Sequence, residues 1–309
     1  MKLSVLDLVP VFAPADPGYA LEQAVILAQA AERMGYARYW VAEHHDKHGL
    51  ACTSPEVLLA HIGARTNRIR IGSGALLLPH YKPMKVAEAF RMLAALYPDR
   101  VDLGIGRAPG GSAHASIALS GNFLENVRQL PHSLKALMEF LDNGFEMEGQ
   151  LVTARPVPAI APQVWMLGTN KKSADFAAQF GTGYVFGQFM SDLDPKEVLC
   201  AYREAFKLRC HTEQPKVIAA VHVVCAETEI EALALAAEGI AWMASAESEE
   251  QKERMLAQER KMFVGTPAAV KDQLDEFSEK YEVDEFLVMT HIRNYDSRRK
   301  SYELLAKIL

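Results

Sequence analysis

Residues 69–106 read IRIGSGALLLPHYKPMKVAEAFRMLAALYPDRVDLGIG. Ile69–Leu78 is a short run that is apolar without alternation, the pattern of a parallel strand buried on both faces. Pro83 then opens a helix that places Val86, Phe90, Leu93 and Ala94 on one side. Arg100–Gly106 is a second buried strand of the same kind. The stretch is one strand–helix–strand unit, and the rest of the chain repeats it.

Upstream, strand Leu3–Val9 leads to a helix with Leu21, Ala24, Val25, Ala28 and Ala31 on one face and Gly35 at its C-terminal cap. Strand Tyr39–Ala42 follows, and then a helix opened by Ser54 as N-cap and Pro55 at its first position, carrying Leu58, Leu59 and Ile62 inward. Downstream come a helix around Leu134–Leu141, strand Val164–Leu167, helix Ser173–Phe180, strand Gly183–Gly187, a helix through Val198, Leu199, Tyr202 and Phe206, and strand Val217–Cys225. A helical excursion, Glu229–Met262, precedes a helix opened by Gly265-Thr266-Pro267. Strand Phe286–Thr290 and a helix through Tyr302, Leu305 and Ile308 close the chain. Eight strand–helix units predict a single (β/α)8 TIM barrel spanning residues 1–309; a doubly wound sheet shares the same periodicity.

The 309 residues are half apolar and 23% charged, with a net charge of −6, so a large core is available and a nucleic-acid or anionic-membrane surface is not expected. Cys52, Cys200, Cys210 and Cys225 are scattered, which favours reduced thiols over disulfides. The opening MKLSVLDLVPVF lacks the apolar core of a signal peptide, and no run reaches membrane-spanning length. A cytoplasmic location is the expectation.

In a TIM barrel the chemistry lies just beyond the C-terminal ends of the strands. Behind the second strand stand Glu43, His44, His45 and His48. They permit proton transfer near neutral pH, a metal site built on Glu43, His44 and His48, or a solvated polar loop. Gly72, Ser73, Gly74 and Ala75 place two glycines inside an apolar strand, which signals a bulge or a close ligand, or a kink required by packing alone. Arg107 follows a glycine-rich strand end, where its guanidinium can grip a phosphate or staple the barrel mouth by an ion pair. Gly168, Thr169, Asn170 and Ser173 open a helix. Such a start binds anions through its free N–H groups, and Asn170 or Ser173 can also serve simply as its cap. His61, His114, His132, His211, His222 and His291 share no spacing; His222 reads as a satisfied core or edge histidine, and Glu247–Glu253 as a solvated helix face.

Taken in order, Leu6-Asp7-Leu8-Val9-Pro10, Tyr39-Trp40-Val41-Ala42-Glu43-His44-His45, Gly72-Ser73-Gly74-Ala75 through Pro79, Tyr97-Pro98-Asp99-Arg100 through Gly110, and Val264-Gly265-Thr266-Pro267 resemble the luciferase-like, flavin-utilising monooxygenases of bacteria. The resemblance runs from Leu3 to the closing helix at Tyr302–Leu305. It implies a TIM barrel that forms a homodimer and uses reduced FMN, supplied by a separate flavin reductase, with O2 to oxidise a small organic substrate. It makes His44 the catalytic residue beside the flavin and puts a non-prolyl cis peptide at Gly74-Ala75 behind the ring. It sets Arg107, Gly168, Thr169 and Ser173 around the flavin phosphate, with Glu43, Ser73 and Asn170 joining the cofactor site. The long mobile loop of luciferase and its cysteine beside the arginine have no counterpart, which argues against light emission. Some relatives use the deazaflavin F420, and others bind flavin without catalysis.

Overall fold

The computed structural model describes residues 1–208, 214–244 and 261–308. Eight parallel strands close into a barrel: β1 (Lys2–Asp7), β2 (Arg38–Val41), β3 (Arg70–Ser73), β4 (Val101–Gly106), β5 (Gln163–Gly168), β6 (Gly183–Gly187), β7 (Val217–Cys225) and β8 (Glu285–Met289). The ring is completed where β8 pairs with β1 through Leu3 and Phe286 and with β7 through Val221 and Val288. Every residue of β4, β6 and β8 is buried, as expected for strands covered on both faces. The TIM barrel expected from the sequence is therefore the observed fold.

Around it run α1 (Pro17–Met34), α2 (Pro55–Arg65), α3 (Pro83–Leu96), α4 (Ala113–Ser120), α5 (Phe123–Arg128), α6 (Leu130–Leu141), α7 (Lys171–Gln179), α8 (Pro195–Ala205), α9 (Glu229–Ala244), α10 (Pro267–Tyr281) and α11 (Tyr295–Ala306). Gly35 ends α1 in the left-handed conformation, and the Thr266 side chain caps α10. Ser54 stands at the cap position of α2, but its side chain makes no capping bond there. Of the excursion expected over 229–262, α9 is the described helix. Residues 245–260, which include the Glu247–Glu253 run, lie outside the described residues, as do Cys210 and His211.

The expected third strand is split. After Ser73 the chain turns through a cis Gly74–Ala75 peptide, re-forms a short strand at Leu76–Leu77 against β4, and ends in a 3-10 turn at Leu78–His80. Close backbone packing explains the glycines: a Cβ on Gly104 would lie 2.0 Å from the Ser73 carbonyl oxygen, and one on Gly74 would lie 2.6 Å from Leu6. The break therefore opens where β3 and β4 approach too closely for side chains.

The floor of the barrel is charged. Arg38 bridges Asp102 at 2.8 Å and Glu285 at 2.7 Å, Arg70 reaches Asp102 at 2.7 Å, and Ser4 donates to Glu285 at 2.6 Å. This network ties β1, β2, β3, β4 and β8 into one register. Higher up, buried Arg298 on α11 pairs with buried Asp7 at the end of β1 at 2.8 Å. Removing either partner would strand a buried charge.

Candidate active site at the barrel mouth

Glu43 follows β2 and is buried. Its Oε1 bonds His45 Nε2 at 2.6 Å and accepts from the Tyr81 hydroxyl at 2.8 Å, while Oε2 accepts from Leu77 N–H at 2.8 Å. Its own N–H donates to the Ala75 carbonyl at 3.3 Å. Burial pushes the Glu43 carboxyl above its usual range, against the pull of these three bonds. Both oxygens are thus committed to protein groups, and Glu43 acts as a clamp on the segment that carries Gly74-Ala75. Ser73 is committed as well: its hydroxyl donates to the Gly104 carbonyl at 2.8 Å and accepts from Gly104 N–H at 3.1 Å.

His45 extends the clamp to the loop after β4. Its N–H donates to the Gly110 carbonyl at 2.8 Å, and a Cβ on Gly111 would lie 2.0 Å from the His45 carbonyl oxygen. His80 Nε2 bonds the Pro109 carbonyl at 2.9 Å, fixing the same loop from the other side. Arg107 opens this loop. It is partly exposed, and among the described residues it makes no hydrogen bond or ion pair. Its charge is felt by the Tyr184 hydroxyl, which lies 3.0 Å from Ser173 Oγ at the start of α7. Arg107 and the α7 N-terminus therefore share one stretch of the rim.

Asn170 and Ser173 form a reciprocal capping box, with Ser173 N–H 3.2 Å from Asn170 Oδ1 and Asn170 N–H 3.3 Å from Ser173 Oγ. Their side chains hold the turn, and among the described residues the N–H groups of Lys171 and Lys172 meet no acceptor. A Cβ on Gly168 would lie 2.0 Å from Ser173 Oγ, so only glycine lets β5 run into this turn. Thr169 anchors it to the next loop by accepting from the Ser191 hydroxyl at 2.7 Å.

His44 donates its N–H to the Cys52 carbonyl at 2.9 Å, while its ring Nδ1 is buried without a partner. Burial, with the nearby Lys47 charge adding, lowers its pKa to about 4. The ring therefore favours its neutral form near pH 7. Glu43, turned toward His45, Tyr81 and Leu77, does not join His44 and His48 in a metal site. No group of three or more His, Cys, Asp or Glu side chains among the described residues could hold a metal ion.

Sequence reasoning missed a second pair. His222 on β7 and His291 just after β8 meet edge to face with ring centroids 4.4 Å apart, and His291 N–H donates to His222 Nε2 at 3.3 Å. His222 is the satisfied core histidine expected of it; burial lowers its pKa to about 3. His291 is also pushed well down, by burial first and then by the neighbouring His222, Arg298 and His44. No spacing links positions 222 and 291. Only the order of the last two strands in a closed barrel does.

The barrel carries a histidine behind β2 and an arginine behind β4 at its mouth, and known proteins give the family. The luciferase-like monooxygenase model matches residues 1–288, and the chain belongs to that family. It is 33% identical over 327 residues to the N-acetyl-S-alkylcysteine monooxygenase of Bacillus subtilis (strain 168), covering 99% of this chain and 97% of that one. The solved structure of apo-MsnO8 superposes with a TM-score of 0.89 at 34% identity, covering 99% and 98%. At identities that speak to the fold alone, the barrel is shared by the FMN-bound oxygenating constituent of 3,6-diketocamphane monooxygenase from Pseudomonas putida (TM-score 0.77, 19% identity, 99% and 97% covered). An F420-dependent secondary alcohol dehydrogenase shares it too (TM-score 0.73, 14% identity, 100% and 98% covered). The family is one of monooxygenases. Among the described residues no helix is long and apolar enough to cross a membrane.

Proposed function

We propose that this protein is a flavin-dependent monooxygenase that takes reduced FMN from a separate reductase and oxidises a small organic substrate with O2. The observation that carries the reading is the unpaired Arg107 guanidinium on the same rim as the open N–H groups of α7. A permanent cation and a helix N-terminus together suit a phosphate. FMN and F420 both carry phosphate; the neutral mouth beside His44 and the likeness to named monooxygenases favour FMN.

When bound, reduced flavin supplies the electrons that activate dioxygen. The chain's own groups do the rest. Arg107 and the N–H groups of Lys171 and Lys172 hold the phosphate. Glu43, through Leu77 and Ala75, would hold the Gly74-Ala75 segment in place as a wall for the ring. His44, whose lowered pKa favours the neutral ring, would accept or hand on a proton next to the bound cofactor. The apolar barrel mouth excludes water. The homodimer and the cytoplasmic location belong to the same reading.

Arg107→Ala tests it by calorimetric titration with FMN. Loss of charge-assisted bonds of ~2 kcal/mol weakens binding about thirtyfold. Unchanged affinity overturns the phosphate assignment, and tighter binding of F420 than of FMN to the wild type overturns the choice of cofactor.

A further inference from the structure

The connection from β4 to α6 begins at Arg107 and runs through α4 and α5. Among the described residues, α4 buries Ser116 alone and α5 buries none. A segment with so little core of its own is held by what it touches on the barrel. Those contacts converge on the 3-10 turn Leu78–His80. Asn126 Nδ2 donates to the Pro79 carbonyl at 2.9 Å. Phe123, the first residue of α5, stacks on the His80 ring with centroids 5.0 Å apart. His80 Nδ1 lies 3.1 Å from the hydroxyl of Ser120, the last residue of α4, and His80 Nε2 lies 2.9 Å from the Pro109 carbonyl. A carbonyl only accepts, so Nε2 carries the proton. One imidazole thus meets the connection at its start, at the end of α4 and at the start of α5.

The turn that carries His80 is itself fixed. Leu78 and Pro79 are buried, and the preceding Leu77 pairs with Gly106 and donates its N–H to Glu43. Arg107 is therefore bracketed. On one side stands the strand pairing at Gly106; on the other, the Pro109 and Gly110 carbonyls are tied by His80 and His45. Gly110 has a left-handed φ of 68°, and a Cβ on it would lie 2.2 Å from Leu77, so the loop passes close over the same turn. The two ties differ in kind. His45 holds with its main-chain N–H, which almost any residue supplies, whereas His80 holds with its side chain. A guanidinium grips a phosphate best when its backbone is ordered beforehand, because ordering it on binding consumes affinity.

We propose that His80 is a positioning residue for Arg107: its Nε2–H pins the Pro109 carbonyl, and so presents the guanidinium to the phosphate of the ligand. The proposal rests on the reading of Arg107 as the phosphate grip; the pinning of the connection is measured apart from it.

The test compares His80→Phe, which keeps a ring to stack on Phe123 but cannot donate, with His80→Gln, whose amide nitrogen can take the place of Nε2. FMN and riboflavin, which differ only by the phosphate, are titrated by flavin fluorescence into wild type, both variants, Arg107→Ala and the Arg107→Ala/His80→Phe double variant. Hydrogen exchange of the flavin-free proteins is followed in peptides covering 107–126. His80→Phe is expected to speed exchange across 108–123 and to weaken FMN about fivefold, the scale of one neutral hydrogen bond. Riboflavin affinity should stay within about twofold, and His80→Gln should recover both properties. In the Arg107→Ala background His80→Phe is expected to leave FMN affinity unchanged, because the group it positions is gone. Unchanged FMN affinity in His80→Phe, equal weakening of FMN and riboflavin, or a loss that persists without Arg107 overturns the proposal, as does unchanged exchange across 108–123. Wild type that binds FMN no more tightly than riboflavin overturns the phosphate reading and the task it gives Arg107. Hydrogen exchange alone then decides whether His80 holds the connection.

Discussion

Glu43→Leu should damage stability and cofactor binding together, because one carboxylate holds both. In the wild type three donors converge on it: Leu77 N–H at 2.8 Å, the Tyr81 hydroxyl at 2.8 Å and His45 Nε2 at 2.6 Å. Leucine has nearly the same volume but accepts nothing. The Leu77 N–H is buried and has no other acceptor, and Tyr81 is half-buried. Each stranded donor costs about 1–3 kcal/mol, and His45, nearer the surface, can recover part of its loss from water, so the sum is about 3–5 kcal/mol. That is a large share of the 5–15 kcal/mol typical of a folded domain. Glu43→Gln should cost far less, about 1–2 kcal/mol. Its oxygen can still accept from Leu77, and its amide can donate to Tyr81 and to a His45 ring that has switched tautomer. Urea unfolding followed by tryptophan fluorescence measures both variants. The pH dependence adds a sign. The Glu43 carboxyl is raised in the fold, so its linkage stabilises the wild type most below the unfolded carboxylate range and fades as pH rises through the raised value. The stability gap between wild type and Glu43→Gln should therefore narrow from acid toward neutral pH. Glu43→Leu within 1 kcal/mol of wild type, or a gap that widens with pH, refutes the clamp.

Gly104→Ala should destabilise the barrel by about 3 kcal/mol or more, since the new Cβ meets the Ser73 backbone at 2.0 Å and no rotamer change relieves it; a melting temperature equal to wild type would contradict the close approach of β3 and β4. His44→Ala should fold and bind FMN yet lose about 100-fold or more in substrate oxidation, the scale of general acid–base assistance. Because the folded His44 pKa is lowered to about 4, its linkage stabilises the protein above the unfolded histidine value and is lost as pH falls toward 4. The variant should therefore lose less stability than wild type between pH 6.5 and 4, and acid denaturation curves of the same steepness would show that His44 is solvated.

What was legible in the sequence was what periodicity and punctuation carry. Seven of the eight strands were found within a residue or two, because buried parallel strands are continuous apolar runs; Pro83, Pro267 and Gly35 mark helix ends by their backbone geometry alone. The paired glycines in Ile69–Leu78 signalled a break, but its form, a short second strand on β4, depends on contacts with Leu6 and Ser73 that no local pattern encodes. At the site, residue types told where polar groups gather and not where their atoms point. Glu43, Ser73, Asn170 and Ser173 were all singled out, and all four spend their side chains on the protein. The His222–His291 pair was invisible because its two members meet only when β7 and β8 lie side by side in the closed ring.

The charge distribution along the barrel axis follows from the same placement and bears on function. At the floor, Arg38, Arg70, Asp102 and Glu285 compensate one another within hydrogen-bonding distance, so the strands are locked there by ions that never meet a ligand. At the mouth, burial favours the uncharged forms of His44, His222 and His291, and the buried ion pair of Arg298 with Asp7 lies between these two levels. Among the described residues, Arg107 is thus a cation at the rim with no ion pair to neutralise it, above a mouth where these histidines favour their uncharged forms. A ligand suited to that gradient carries its anionic group outward, to Arg107 and α7, and its uncharged part inward, toward His44. Reversing the gradient is the sharpest perturbation available: a carboxylate placed at His291 would charge the mouth, whereas one at the exposed rim would merely compete with the phosphate, so the first should abolish ligand entry and the second only weaken it.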